Sequence, residues 1–206
     1  MDNAASQLTD KILENWKDTV HLHVIMKISH KAGKMPDTLT FHDLKRQVPS
    51  ILNNFDSYIG LPFDRRIELA NMILEIVYEN IPEKGKNIII VDDSASLVSM
   101  LMDFLWYENY NVIAVADEGE NAINILNRHV EKGVKIDAVI MDIMMPGLDG
   151  VGATEMIKQS YPDIKVVALT GFPSFFMKSV MKKAGADFFI SKSSKAFNNI
   201  KKVLEE

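Results

Sequence analysis

From residue 87 to the C-terminus, short apolar runs alternate with amphipathic segments, and this alternation restricts the chain to very few folds. The five predicted strands span residues 88–91, 111–115, 138–141, 164–169 and 188–190, and all of these residues except Asn111 and Lys165 are apolar. Continuous apolar runs this short are typical of parallel strands that helices cover on both faces. Five strand–helix repeats joined by right-handed crossovers predict an α/β fold built on a doubly wound sheet of five parallel strands.

The N-terminal part of the chain, residues 5–81, shows helical periodicity and almost no strand signal. Leu8, Trp16 and Ile28 belong to an apolar series at helical spacing, and residues 31–37 are predicted to form a loop. Thr40, with an acidic residue three positions later, predicts a helix start. Pro49 lies inside that helix, which either kinks or restarts there. We expect a small all-α bundle of three or four helices.

A polar stretch over residues 82–86 contains both helix breakers and separates the two patterns. The predicted organisation is therefore a helical domain over 1–82, a linker over 83–87 and an α/β domain over 88–206.

Composition narrows the classes of function. The net charge of −5 gives no basic surface and argues against nucleic acid as a partner. Because the chain has no cysteine, disulfides, zinc–thiolate sites and cysteine nucleophiles are excluded. No apolar run is long enough to span a bilayer, and the N-terminus does not resemble a signal peptide. We expect a cytoplasmic protein with no membrane partner.

Polar residues stand where the predicted strands end. Asp92 and Asp93 follow the first strand, Asp142 ends the third, Thr170 ends the fourth and Lys192 follows the fifth. Because parallel strands end at one edge of the sheet, these side chains should meet there.

Chemistry at that edge follows from the kinds of group that meet. Three carboxylates repel one another unless a cation lies among them, and an all-oxygen ligand set favours Mg²⁺. A lysine and a hydroxyl beside such a site suit a phosphoryl group. Taken singly, each residue has an ordinary role, since a strand-end Asp can cap a turn or a helix and a lone lysine is usually solvated. The ordered set favours a reactive site.

Residues 87–206 resemble the receiver domain of two-component response regulators at every one of these motifs, and the segment D-I-M-M-P-G-L-D-G from Asp142 matches the family's phosphorylation loop. The resemblance implies a flavodoxin-like (βα)₅ fold with strand order 2-1-3-4-5 and Asp142 as the phospho-accepting residue. It also implies that Asp92, Asp93, Asp142 and the backbone carbonyl of Met144 hold Mg²⁺.

The resemblance further implies the switch residues: the Thr170 hydroxyl reorients toward the aspartyl phosphate, Lys192 pairs with the phosphate, and Phe189 is the aromatic switch. Two positions depart from the family pattern. Ser193 stands where a proline, commonly after a cis peptide bond, is usual; a cis non-prolyl bond costs about 3 kcal/mol, which favours a trans Lys192–Ser193 bond. Phe189 replaces the commoner tyrosine.

By this resemblance the chain is a signalling protein rather than a conventional enzyme. It takes a phosphoryl group from a histidine kinase, a phosphotransfer protein or a small phosphodonor, and a conformational change passes the signal on. Bulky residues two positions after Asp142 and after Thr170, Met144 and Phe172, predict restricted water access and slow hydrolysis; a half-life of seconds would contradict this.

The helical domain has two candidate roles. One is protein interaction or dimerisation, through which the receiver reaches a downstream protein partner. The alternative is a sensor that binds a small molecule or haem, suggested by the four histidines His21, His23, His30 and His42. A Soret band or a stoichiometric transition metal in the purified protein would favour the sensor.

Overall fold

The computed structural model describes residues 4–15, 20–53, 61–81 and 84–206. Its contacts divide the chain into two compact units, Met1–Glu83 and Lys84–Glu206. Several sequence predictions fall outside the described residues: those on Trp16, Phe55, Gly60, Pro82 and Glu83. The side chains of five further residues are also outside them: Ile12, Leu13, Val20, His21 and His23.

The second unit, Lys84–Glu206, contains one parallel sheet with strand order β2-β1-β3-β4-β5. The strands are β1 (Asn87–Val91), β2 (Asn111–Ala116), β3 (Ala138–Asp142), β4 (Lys165–Thr170) and β5 (Phe188–Ser191). This order confirms the predicted flavodoxin-like topology. β1 begins at Asn87, so the first strand starts one residue before its predicted position and includes the last residue assigned to the linker.

Five helices connect or follow these strands: α5 (Ala95–Tyr107), α6 (Gly119–Glu131), α7 (Gly150–Ser160), α8 (Phe175–Lys183) and α9 (Ala196–Glu205). Right-handed crossovers place α5 and α9 on one face of the sheet, where Phe104 and Phe197 stack with ring centroids 5.0 Å apart. The other three helices cover the opposite face, where α7 contacts both α6 and α8. The sheet is therefore buried on both sides, as the largely apolar strands predict.

Strand register places the polar residues at one edge. In the β3–β4 pair Asp142 lies beside Leu169, and in the β4–β5 pair Thr170 lies beside Ser191. β1 ends at Val91, directly before Asp92. The carboxyl ends of β1, β3, β4 and β5 thus carry the chemically active side chains to a common surface.

The first unit contains four α-helices, α1 (Ala4–Asn15), α2 (Val20–Ala32), α3 (Phe41–Asn53) and α4 (Phe63–Asn80), among its described residues. The helices contact one another in a ring: α1 packs on α2 and α4, and α3 packs on α2 and α4. Leu8, Ile28, Leu44 and Ile73 contribute one fully buried side chain from each helix. An all-α bundle is therefore present, and no helix of the described residues is long and apolar enough to cross a membrane.

Two local predictions need correction. The loop predicted over 31–37 is shorter, because α2 continues to Ala32 and Pro36–Thr38 form one turn of 3-10 helix. Of the two alternatives at Pro49, the restart is wrong, because Pro49 lies within the single helix α3; the kink stays a prediction. A proline there removes one backbone hydrogen bond, but Val48, Ile51 and Leu52 beside it are fully buried. Their packing outweighs the lost bond.

The predicted helix start at Thr40 is a capping box. The Asp43 backbone N–H donates to Thr40 Oγ1 at 3.2 Å, and the Thr40 N–H donates to Asp43 Oδ2 at 2.8 Å. The Lys34 ammonium also donates to Asp43 Oδ2, at 2.6 Å. Burial alone would raise the pKa of Asp43, but the hydrogen bonds from Lys34 and Thr40 outweigh it and lower the pKa to about 2.

We predict that Asp43→Asn destabilises the helical unit by about 1–2 kcal/mol at neutral pH, because it removes the charge that these donors stabilise. Since the folded-state pKa is depressed, the stabilisation is present above about pH 4 and is lost as the pH falls towards 2. Chemical unfolding followed by far-UV circular dichroism should therefore show the wild type and variant converging near the acid limit. The exposed first-turn residue Asp64, changed to Asn, is the control and should shift stability by less than about 0.5 kcal/mol. An equal loss for both variants at neutral pH would contradict the assignment.

Candidate functional site

The carboxyl edge of the sheet brings three carboxylates together. Asp92, Asp93 and Asp142 each offer an oxygen that lies within 4.8 Å of the others. Asp92 and Asp142 are buried, whereas Asp93 is exposed at the rim. Within the described part of the chain this is the one cluster of acidic or histidine side chains with such spacing. An exposed carboxylate beside two buried ones leaves the cluster open to solvent on one side.

Lys192 lies between the two buried carboxylates. Its Nζ is 2.7 Å from Asp92 Oδ2 and 2.8 Å from Asp142 Oδ2. Burial alone would lower the pKa of Lys192, but the two carboxylates outweigh it and raise the pKa above its ordinary value. The lysine is therefore an ammonium ion, and it neutralises one of the three negative charges.

Asp92 occupies the more buried position. Burial raises its pKa, and the negative charge of Asp142 adds to that rise, whereas Lys192 and the Ser94 backbone N–H act against it. Asp92 Oδ1 accepts the hydrogen bond from Ser94 at 2.9 Å. Oδ2 has the Lys192 ion pair and, although buried, accepts no hydrogen bond of good geometry. The oxygen thus keeps acceptor capacity for a further cationic partner.

Thr170 and Phe189 lie beside this cluster. Thr170 is fully buried at the end of β4, and its hydroxyl accepts a hydrogen bond from the Phe172 N–H at 3.1 Å. Phe189 is half-buried and packs against an apolar group that includes Ile143 and Met181. The hydroxyl is therefore held by a loop amide, and the aromatic ring lies partly inside the protein.

Backbone hydrogen bonds fix the loop that carries Lys192. The Lys192 N–H donates to the Thr170 carbonyl at 2.7 Å, which ties the lysine to the end of β4. The Ser193 N–H donates to the Ser191 carbonyl at 2.8 Å, and no cis peptide bond occurs among the described residues. The Lys192–Ser193 bond is therefore trans, as the absence of proline predicts.

Met144 and Phe172 are exposed at the rim of the site, by 56% and 75%. The Met144 N–H lies 3.4 Å from Asp142 Oδ1, at the long end of the hydrogen-bond range. Slow hydrolysis, which the sequence analysis expects from these two side chains, remains a prediction.

Two residues of the site were missed at the sequence level. Ser94 caps α5 by accepting the Leu97 N–H, and its own N–H orients Asp92. Its position just before an apolar helix is a recognisable cap signal. Gly150 begins α7 against the backbone of Asp142, and the preceding Asp149 in a D-G pair is the signal for such a turn.

The histidines of the helical unit whose side chains are described, His30 and His42, give no comparable cluster. His30 and His42 are exposed, and the side chains of His21 and His23 are outside the described residues. The described histidines belong to no group of three potential metal ligands.

Comparison with known proteins decides the family. The response regulator receiver domain family matches residues 88–205. The chain belongs to the response regulator receiver family. The chemotaxis protein CheY of Thermotoga maritima is 34% identical over 108 residues, which cover 52% of this chain and 86% of that protein. The transcriptional regulatory protein CpxR of Escherichia coli is 32% identical over 105 residues, which cover 51% of this chain and 42% of that protein. The chain therefore spans most of CheY but less than half of the longer regulator.

Solved structures agree on the receiver fold. CheY in a crystal structure of the CheX–CheY–BeF₃–Mg²⁺ complex from Borrelia burgdorferi has a TM-score of 0.54 and 28% identity, covering 58% of this chain and 87% of that chain. The isolated receiver domain of RcsB from Salmonella enterica serovar Typhimurium has a TM-score of 0.52 at 21% identity, covering 59% and 89% of the two chains, and shows the fold alone. Receiver domains accept phosphoryl groups in two-component signalling. The carboxylate cluster of this chain lies at the carboxyl edge of its receiver sheet.

We predict that Gly150→Ala destabilises the receiver by about 2 kcal/mol, because a Cβ there would lie 2.0 Å from the Asp142 carbonyl oxygen and 2.8 Å from Ile143 Cα. Backbone atoms cannot move aside as a flexible side chain can. Gly171→Ala is the matched control, since nothing lies within 4 Å of its added Cβ. Thermal unfolding of the two variants measures the difference, and equal melting temperatures would show that the Gly150 contact is not restrictive.

Proposed function

We propose that this chain is a response regulator in which Asp142 receives a phosphoryl group from a histidine kinase or a phosphotransfer protein, and in which the helical unit passes the signal to a protein partner. One observation carries the assignment: Lys192 lies between Asp92 and Asp142, within 2.8 Å of an oxygen of each. This arrangement places an Asp142 oxygen beside the Lys192 ammonium at the carboxyl edge of the sheet, where receivers accept phosphoryl groups.

The phosphoryl transfer is a nucleophilic displacement. An Asp142 carboxylate oxygen attacks the phosphorus of a phosphohistidine, a P–O bond forms, and the P–N bond breaks as its electrons return to the imidazole nitrogen. Lys192 releases Asp142 and pairs with the oxygens of the transferred phosphoryl group. Its ammonium therefore has an anionic partner before and after the transfer. A small phosphodonor reacts at the same oxygen.

The residues at the site fit Mg²⁺. Three carboxylates and one ammonium carry a net charge of −2, all the donors are oxygens, and Asp92 Oδ2 has no well-formed hydrogen bond. Asp92, Asp93, Asp142 and the Met144 backbone carbonyl are the proposed ligands. The metal, when bound, neutralises charge that develops on the phosphoryl oxygens.

Thr170 and Phe189 are the proposed switch. The Thr170 hydroxyl exchanges its hydrogen bond from the Phe172 amide for contact with the phosphoryl oxygens, for which it acts as donor. Phe189, half-buried against Met181 of α8, follows into the space that opens. The start of α8 and the loop before it then change position, and this biases the surface that partners contact.

The helical unit is proposed to act through protein contacts rather than DNA. Its described residues carry eight basic and eight acidic side chains, so they have no net positive charge to attract a phosphate backbone over the whole unit. Haem or metal binding in this unit, the alternative from the sequence, would appear as a Soret band or a bound transition metal in the purified protein. Salt-sensitive binding to duplex DNA would overturn the protein-contact assignment.

We predict that Asp142→Asn abolishes labelling by acetyl phosphate in the presence of Mg²⁺ without unfolding the receiver. The amide has nearly the shape of the carboxylate but lacks its nucleophilic oxygen. Intact-mass spectrometry detects the phosphoryl adduct, and far-UV circular dichroism checks the fold. Asp163→Asn, at an exposed turn, is the control and should label like the wild type. If Asp142→Asn labels as well as the wild type, Asp142 is not the acceptor.

We predict that Asp93→Asn weakens Mg²⁺ binding by about 10- to 100-fold, because it removes a carboxylate worth about 1.5–3 kcal/mol to a cation. Asp93 is exposed, so its replacement leaves the packing unchanged. Isothermal titration calorimetry measures the affinity. Glu120→Gln, exposed and outside the carboxylate cluster, is the matched control. Equal affinity in wild type and Asp93→Asn would remove Asp93 from the ligand set.

A further inference from the structure

Charge is segregated by helix pair in the helical unit. The residues from α2 to the end of α3, 20–53, contain five basic and two acidic side chains, a net charge of +3. The described residues of α1 and of the segment around α4, 4–15 and 61–81, contain three basic and six acidic side chains, a net charge of −3. Because the four helices contact one another in a ring, α1 with α4 and α2 with α3 form opposite sides of the bundle.

The acidic face lies on α1 and α4, which contact each other. Its carboxylates lie at helical spacing on the outward sides of the two helices: Asp10, Glu14, Asp64, Glu68, Glu75 and Glu79. Two contacts join the helices side by side along it. Lys11 Nζ lies 3.1 Å from Glu75 Oε2, and Asn80 donates to the Gln7 side chain at 3.0 Å. Lys11 and Arg65 pair with carboxylates of this face but leave it net negative.

The basic face is formed by α2 and α3. On α2 the exposed residues Met26, Lys27, His30 and Lys31 share one side of the helix, opposite the buried Val24, Ile25 and Ile28. On α3 the exposed residues include His42 and Arg46, one turn apart. The Lys34–Asp43 ion pair at 2.6 Å joins the loop after α2 to the start of α3, and the two helices also contact each other.

We propose that the acidic face of one copy of this chain docks on the basic face of a second copy. This rests on the proposed role of the helical unit as an interaction module, and it names the partner. The described segments that contain the two faces carry net charges of +3 and −3, and Lys27 and Lys31 have the same one-turn spacing as the exposed Asp10 and Glu14. Met26, 55% exposed within the basic face, supplies apolar contact at the interface.

This contact is heterologous, since each copy presents two different faces. It generates closed rings or open chains rather than a two-fold dimer. Exposed ion pairs are individually weak and are screened by salt, so the association is reversible and depends on both salt and protein concentration.

Light scattering on the full chain tests the contact. In low salt, the weight-average mass should rise with protein concentration to about twice the monomer mass or more, and it should return to the 23.2 kDa monomer at about 0.5 M salt. A wild-type chain that stays monomeric in low salt at every concentration would overturn the proposal.

Charge reversal identifies the faces. Lys27→Glu with Arg46→Glu makes both faces acidic, and Asp10→Lys with Glu79→Lys makes both faces basic; each double variant alone should remain monomeric. An equimolar mixture of the two should associate again. Lys182→Glu with Lys202→Glu, which reverses two exposed receiver lysines, is the control of equal charge change and should associate like the wild type. A mixture that stays monomeric, or a control that loses association, would refute the assignment of the faces.

Phosphorylation is read in the same samples by acetyl phosphate labelling of Asp142. Labelling should be equal in the wild type and in all charge-reversed variants, because none of the changed residues lies in the carboxylate cluster. If a variant loses association but is still labelled, the effect lies in the helical unit alone. If the wild type is not labelled, the assignment of Asp142 as the phosphoacceptor is wrong.

Discussion

The carboxyl edge of the receiver sheet depends on the ion pairs of Lys192 with Asp92 and Asp142, because the ammonium compensates the charge of two buried carboxylates. Two buried carboxylates so close together would repel each other strongly, and removing the ammonium would leave both charges uncompensated at a cost of several kcal/mol. Under the proposed function, the same ammonium has to leave Asp142 before its oxygen can reach phosphorus. The contact that stabilises the resting edge is therefore the contact that phosphoryl transfer rearranges, which couples the chemistry directly to the loop after β5.

Much of this edge could be predicted from sequence because the relevant information is local. Each strand is a short apolar run, and the polar residue that ends it can be identified without knowing the tertiary structure. Asp142 and Thr170 end β3 and β4, and Asp92 directly follows β1. The rule that parallel strands end on one side of the sheet then brings these residues together. The trans Lys192–Ser193 bond was predictable for a similar reason, since it depends on the identity of one residue.

What sequence could not supply depends on contacts between distant segments. The sequence places Lys192 at the edge but does not show that it lies between two carboxylates rather than on one. The Asp149–Gly150 pair indicates a turn, but the sequence does not show that the Asp142 carbonyl lies so close to Gly150 that a Cβ has no space. Pro49 favours a helix break by local rules, and only the burial of its neighbours on α3 explains why the helix continues. In each case tertiary packing overrides or completes a local preference.

The segregated charge of the helical unit also depends on contacts between distant segments, which the sequence alone does not show. Periodicity identifies the outward side of each helix, but only tertiary contacts such as Lys11–Glu75 show that α1 and α4 form one face. The fold itself does not require the segregation, because the core is apolar on all four helices and exposed charges add little to folding stability. A bundle with the same core and mixed surface charge would fold equally well. Because folding stability does not require the two charged faces, we infer that they select a partner. Under the proposed contact, each face binds the oppositely charged face of a second copy.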